Sequence, residues 1–144
     1  MDKVILNSLQ EVIAYLKPHV GGKKILGLIG DLGFGKTTLV KTLFNEFGFE
    51  LSHSPTFSLI NRYDLPLGIK VYHVDLYRLK SNEDIDSSGF WDLFDDEDTN
   101  AFVVIEWVDK IDLELLPLSW TQVIVEIIVS NENHRSYVIK ELRT

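Results

Sequence analysis

Residues Gly30-Asp31-Leu32-Gly33-Phe34-Gly35-Lys36-Thr37 spell G-x-x-x-x-G-K-T, and no other stretch so narrows the folds open to this chain. The pattern works only where a strand delivers the backbone to a glycine turn and a helix leads away. The N–H groups of the turn must converge on an anion at the positive end of the helix dipole. Both flanks are present. Lys24 to Ile29 is a short apolar segment of strand type, and Leu39, Val40, Leu43, Phe44 and Phe47 recur at helical spacing. In such a loop Lys36 reaches the β- and γ-phosphates of a nucleotide and the Thr37 hydroxyl is placed to bind Mg²⁺. Asp31, Leu32, Gly33, Phe34, Gly35 and Thr38 complete the phosphate cradle. The competing reading, a glycine-rich turn with a solvated lysine, leaves this strand and helix context unexplained.

A chain of 144 residues is long enough to bury a substantial core, and we read residues 1–144 as one domain. With no cysteine there is no disulfide, thiolate metal site or cysteine nucleophile. The net charge of −8 argues against a broad phosphate-binding surface, so any dealing with RNA is expected to run through a partner protein. We find no signal-peptide pattern and no apolar run of bilayer length, and expect a cytoplasmic protein with no membrane association.

Ser8-Leu9-Gln10-Glu11 has the spacing of a capping box, and Leu9, Val12, Ile13 and Leu16 follow as one apolar stripe, predicting a first helix that ends near Pro18. Gly21-Gly22 turns the chain into the strand before the phosphate loop, and Gly48 is expected to end the helix after it. Phe57 to Tyr63 and Ile69 to Leu76 read as a hairpin around Leu65-Pro66-Leu67-Gly68. The acidic stretch from Ser81 to Asp98 has room for one or two short helices. Phe102 to Ile105 is a buried-strand run ending on Glu106-Trp107, and a last strand pair spans Gln122 to Val129 and Arg135 to Leu142. The fold class expected is an α/β sandwich of the P-loop NTPase type: a mixed sheet with a parallel centre and added antiparallel hairpins.

A Mg²⁺ ion on a triphosphate needs a carboxylate beyond the loop, held at the end of a buried strand. Glu106 and Asp75 both stand at such ends. Thr56, after Ser54 and Pro55, lies where a switch segment would sense the γ-phosphate, although a turn or cap role suits it equally. Asn61-Arg62-Tyr63-Asp64 only superficially resembles a guanine-reading element, so ATP is preferred to GTP. His73 and Asp75 share a strand face and are candidates to interact; His19, His53 and His134 have no metal-ligand spacing. Trp107 either stacks on a nucleotide or packs. Asp92, Asp95, Asp96, Glu97 and Asp98 read as a solvated face.

Four blocks in order carry a further resemblance: Gly30 to Thr38 as GDLGFGKTT, Ser54 to Phe57 as SPTF, Val71 to Arg78 as VYHVDLYR, and Ile105 to Trp107 as IEW. The chain resembles the TsaE (YjeE) family, small ATPases of the bacterial machinery that makes threonylcarbamoyladenosine (t6A) at position 37 of tRNAs. Phe34 departs from the family's usual alanine. The resemblance implies that Thr37 and Glu106 hold Mg²⁺, that the loop holds the ATP phosphates, that Asp75 is a required carboxylate near the γ-phosphate, and that Thr56 acts in the switch. It also implies TsaB and TsaD as partners, tRNA contacted only indirectly, and hydrolysis that resets the complex. A small-molecule kinase and a non-hydrolysing nucleotide-dependent binding module are the alternatives.

Overall fold

The computed structural model describes residues 3–51, 59–131 and 134–142. Its strands are β1 (Lys3–Leu6), β2 (Lys24–Ile29), β3 (Ile60–Leu65), β4 (Ile69–Asp75), β5 (Ala101–Glu106), β6 (Thr121–Asn131) and β7 (His134–Leu142). The helices are α1 (Leu9–Leu16), α2 (Lys36–Asn45) and α3 (Asn82–Ser87), supplemented by short 3₁₀ turns. All of these strands lie in one sheet, in the order β1-β7-β6-β2-β5-β4-β3. The inner four, β6, β2, β5 and β4, are parallel, and antiparallel pairs close both sides. This is the expected mixed sheet, with a hairpin at each flank.

Burial follows from this arrangement. A parallel strand covered on both faces must be apolar throughout, and β5 is buried from Ala101 to Glu106. On one face α1 and α2 press Val12, Leu16, Leu39, Val40, Leu43 and Phe44 against Leu26, Leu28, Phe102 and Val104. On the other face Ile85, Phe90, Val108 and Trp120 cover Ile25, Val103 and Ile105. Because side chains alternate along a strand, Glu106 falls on the α2 face with Phe102 and Val104.

Several boundaries differ from the sequence reading. The edge strand β1 was not anticipated, since four residues without a turn signal carry little pattern. The hairpin strand runs from Ile60 to Leu65 rather than Phe57 to Tyr63, with 52–58 outside the described residues. Ser8 caps α1 as expected: its Oγ accepts from the Glu11 N–H at 3.2 Å and donates to Glu11 Oε1 at 2.9 Å. That helix stops at Leu16, and Pro18 lies within a 3₁₀ turn, Lys17–His19. Past the end of α2, Gly48 takes a φ of +75°. The acidic segment forms α3 and a 3₁₀ stretch, Phe90–Asp95.

Connectivity sets the location of the site. The chain leaves β2 through α2 toward β3 and β4, returns to β5, then passes β2 to form β6 on its other side. Strand order therefore reverses at β2, and a crevice at such a switch point, beyond the carboxyl ends of the strands, is where α/β sheets bind ligands.

Candidate functional site

The phosphate loop bridges β2 and α2. Gly35 caps the helix with φ +106°, and Gly33 has φ +79°, conformations that side-chain-bearing residues rarely adopt. The first intrahelical bond is from the Leu39 N–H to the Gly35 carbonyl. The preceding N–H groups of the first turn therefore have no acceptor within the helix and form its positive end.

Lys36 is buried to 5% exposure. Its Nζ donates to the carbonyls of Gly30 and Asp31, the latter at 3.0 Å, and lies 4.2 Å from the Trp107 ring centroid. Burial lowers its pKa, while the carboxylates of Glu106, Asp75, Asp109 and Asp31 oppose that shift. One ammonium thus stands among four acids. Bare triphosphate would be repelled by that surplus, and a divalent cation would offset it.

Thr37, in the first turn of α2, donates from Oγ1 to Glu106 Oε1 at 3.0 Å. The other oxygen of Glu106, Oε2, lies 2.6 Å from His73 Nε2. His73 therefore meets Glu106, not Asp75 as its strand face suggested: a diagonal neighbour across the β4–β5 pairing is within reach of aromatic and long side chains. Asp75 pairs in register with Glu106. Its Oδ1 accepts from the Tyr77 N–H at 3.0 Å.

Neighbouring residues on a strand face opposite ways, yet Glu106 and Trp107 line the same cavity. The strand has ended: Trp107 takes φ +62°, ψ +40°, rare for a bulky residue, and opens a 3₁₀ turn, Val108–Lys110. Its ring packs against Tyr77, with centroids 5.0 Å apart. Lys110 Nζ donates to the carbonyls of Tyr77 and Leu79, at 2.8 and 2.9 Å, which ties the two strand-end loops together.

Two cavities flank the phosphate loop. The strand-end cavity, about 240 Å³, is lined by Leu32, Gly33, Gly35, Lys36, Thr37, Thr38, Asp75, Tyr77, Glu106 and Trp107. The edge cavity, about 470 Å³, is lined by Asn7, Ser8, Leu9, Gly33, Phe34, Gly35, Thr38, Arg135 and Tyr137. Arg135 Nε donates to the Phe34 carbonyl at 2.9 Å, clamping the tip of the loop to β7.

Thus most of the residues singled out in the sequence meet around one loop. Asp31 adjoins them through its carbonyl contact with Lys36. Thr56 and its neighbours Ser54 and Pro55 lie outside the described residues. The sequence reading missed Tyr77, Arg135, Tyr137 and the Asn7-Ser8 corner. Tyr77 stands inside a motif already quoted, whereas Arg135 and Tyr137 carry no local signal. The oxygen donors Thr37 and Glu106, beside a phosphate cradle, suit Mg²⁺, which is commonly held by one or two carboxylates together with substrate phosphates. No cluster of three or more His, Cys, Asp or Glu able to hold a metal occurs among the described residues. No helix among them is long and apolar enough to cross a membrane.

Comparison with known proteins places the chain in a family. The family model described as threonylcarbamoyl adenosine biosynthesis protein TsaE matches residues 5–137. Proteins named tRNA threonylcarbamoyladenosine biosynthesis protein TsaE are similar to the chain. The Rickettsia bellii protein is 35% identical over 132 residues, 88% of either chain, and the Aquifex aeolicus protein 33% identical over 144 residues, covering 94% of this chain and 92% of that one. The Borreliella burgdorferi protein is 38% identical over 94 residues, 65% of this chain; that match spans 66% of the relative's length, and one to the Haemophilus influenzae protein spans 58%. The crystal structure of Bacillus subtilus YdiB superposes with a TM-score of 0.62 at 24% identity, covering 96% of this chain and 84% of that one, a likeness of fold. With the family model matched from β1 into β7 and the phosphate loop, Thr37 and Glu106 assembled at one switch point, the chain belongs to the TsaE family.

Proposed function

We propose that this protein is a Mg²⁺-dependent ATPase that serves t6A formation on tRNA. In this reading it acts in the cytoplasm with TsaB and TsaD, touches tRNA only through that complex, and resets the complex by binding and hydrolysing ATP. The observation that carries the reading is the Thr37 Oγ1–Glu106 Oε1 bond of 3.0 Å, beside a buried lysine at the helix N-terminus.

The residues divide the work. Backbone N–H groups of the loop from Gly33 to Thr38 receive the phosphates, and Lys36 exchanges its bonds to the Gly30 and Asp31 carbonyls for phosphate oxygens. Thr37 and Glu106 would hold Mg²⁺, which supplies charge neutralisation on the phosphates. Thr37 donates its proton to Glu106, which leaves its oxygen lone pairs for a cation. Asp75 has one oxygen engaged by the Tyr77 N–H, and the other, which accepts no hydrogen bond among the described residues, would orient the attacking water and take its proton. The water oxygen bonds to the γ-phosphorus as the bond to the β,γ-bridging oxygen breaks, giving ADP and phosphate. Trp107 covers the ammonium and the phosphates, and Thr56 would report the γ-phosphate to partners. The edge cavity is the larger of the two and is bounded by the start of α1 and by β7, which suits the nucleoside, with Asn7, Ser8 and Arg135 as polar contacts.

ATP turnover with and without purified TsaB and TsaD tests the reading. The expected result is weak turnover alone and stimulation by the pair. Asp75→Asn should keep ATP binding and lose at least tenfold of the stimulated rate. Unstimulated turnover, or equal rates for wild type and variant, would overturn the assignment.

A further inference from the structure

His73 is fully buried in the sheet, yet a sheet core does not need a histidine there. Its ring lies edge-on to Phe44, with centroids 6.4 Å apart, and at the same distance from Tyr63. Nδ1 has no hydrogen-bond partner among the described residues. A buried polar atom without a partner is a cost that leucine or phenylalanine would avoid. Among the described residues the polar return on this side chain is therefore the 2.6 Å bond from Nε2 to Glu106 Oε2. An ionised carboxylate only accepts, so Nε2 carries the proton.

That bond determines what Glu106 can do. Its side chain, 5% exposed, has two oxygens directed to two different partners: Oε2 to His73, Oε1 to the Thr37 hydroxyl. Without His73 the carboxylate could rotate about its last torsion, which is broad and roughly two-fold, and Oε1 would no longer be directed at Thr37. We propose that His73 is a positioning residue that locks the Glu106 carboxylate and so prepares the Thr37–Glu106 pair to hold the divalent cation. The inference rests on the cation assignment made above. It attributes to a buried core position an effect on metal affinity, since hydrogen bonds to a ligating carboxylate orient it and their loss typically costs 10–100-fold in affinity.

The test is Mn²⁺ affinity measured by electron paramagnetic resonance on the full chain saturated with ADP, alongside ADP affinity in EDTA. His73→Leu should weaken Mn²⁺ binding at least tenfold and leave metal-free ADP affinity within about twofold. His73→Gln, whose amide N–H reaches nearly as far as Nε2, should recover to within about threefold of wild type. Three results would overturn the proposal: wild-type Mn²⁺ affinity in His73→Leu, equal impairment in the Leu and Gln variants, or metal-free ADP affinity falling in step with Mn²⁺ affinity. Glu106→Gln separates this from the underlying assignment. If it too binds Mn²⁺ as wild type does, the cation site is wrong and the proposal falls with it; if it is weakened while His73→Leu is not, only the role of His73 fails. Wild-type protein supplies a readout independent of any variant's folding. The His73 Nε2 proton should resonate at low field and shift when Mg²⁺ joins bound ADP; an unmoved resonance would also overturn the proposal.

Discussion

The two cavities beside the phosphate loop share Gly33, Gly35 and Thr38 but are built from opposite materials. The strand-end cavity is made where parallel strands β4 and β5 finish. Its acids and its lysine are held by the core beneath them, with Glu106 and Lys36 almost fully buried. The edge cavity lies between the N-terminus of α1 and the outer hairpin, and its Arg135 contact is exposed. Rigid charge suits chemistry on phosphates, whereas an edge of hydroxyl, amide and guanidinium suits the recognition of a neutral ring. Backbone N–H groups of one loop serve both, so the division can be tested by damaging each side separately.

Lys36→Ala should have the largest effect. Removing a buried ammonium that would bond phosphate oxygens should weaken ATP binding by about 100-fold and abolish turnover, read by calorimetry and phosphate release. Inorganic triphosphate should lose affinity equally. If it did not, phosphate binding would not belong to the strand-end side.

Arg135→Ala acts from the other side. It removes a bond to the Phe34 carbonyl and a wall of the edge cavity, which should cost ATP roughly 3- to 10-fold in affinity. Inorganic triphosphate should be affected less. Equal losses for ATP and triphosphate would place the nucleoside elsewhere and reduce Arg135 to a loop clamp.

Trp107 sharpens the comparison spectroscopically. Nucleotide should draw the Lys36 ammonium away from the indole, 4.2 Å below it, and change its fluorescence by some tens of per cent. Trp107→Phe should abolish the change, while replacement of Trp91 or of the buried Trp120 should preserve it. A signal that survived in Trp107→Phe would mean that ligand binding is felt beyond the strand-end side.

The smallest effect is expected at residues that line neither cavity. Asp96 accepts from Lys70 and from the Tyr72 hydroxyl, each at 2.8 Å, and its carboxyl is held down at about 2, chiefly by the Lys70 bond, then by the Asp98 N–H and Tyr72. A depressed carboxyl stabilises the fold above its ordinary value of 3.8, and that contribution fades as pH falls toward 2. Asp96→Asn should therefore lower Tm by a few degrees at pH 7, a gap that narrows below pH 3.8, with ATP affinity unchanged. Altered ATP affinity would show that the acidic face is coupled to the cavities.

The strand-end side was legible because its residues are close in sequence to their own structural signals. Strand β2, the loop and α2 are contiguous, so periodicity and glycine spacing expose them together. Glu106 and Asp75 could be nominated because each follows an apolar run. The edge cavity was not legible, since it joins Asn7 and Ser8 to Arg135 and Tyr137 across the length of the chain, and the capping box of Ser8 announces a helix start rather than a ligand site. His73 was seen but given the wrong companion: sequence offers its neighbour two residues on, whereas the sheet pairing offers Glu106.

What the sequence determined by itself is therefore local: a strand-loop-helix that must bind phosphate, the buried strand ending in a carboxylate, and the flanking hairpin. Short-range sterics and periodicity suffice for these. Tertiary structure decided which carboxylate Thr37 would meet, which histidine would hold it, how Trp107 could face the site beside Glu106, and what closes the loop's far side. Those outcomes depend on strand order and register between segments far apart in the chain, and on a left-handed turn at Trp107 held by its surroundings, which no local pattern encodes.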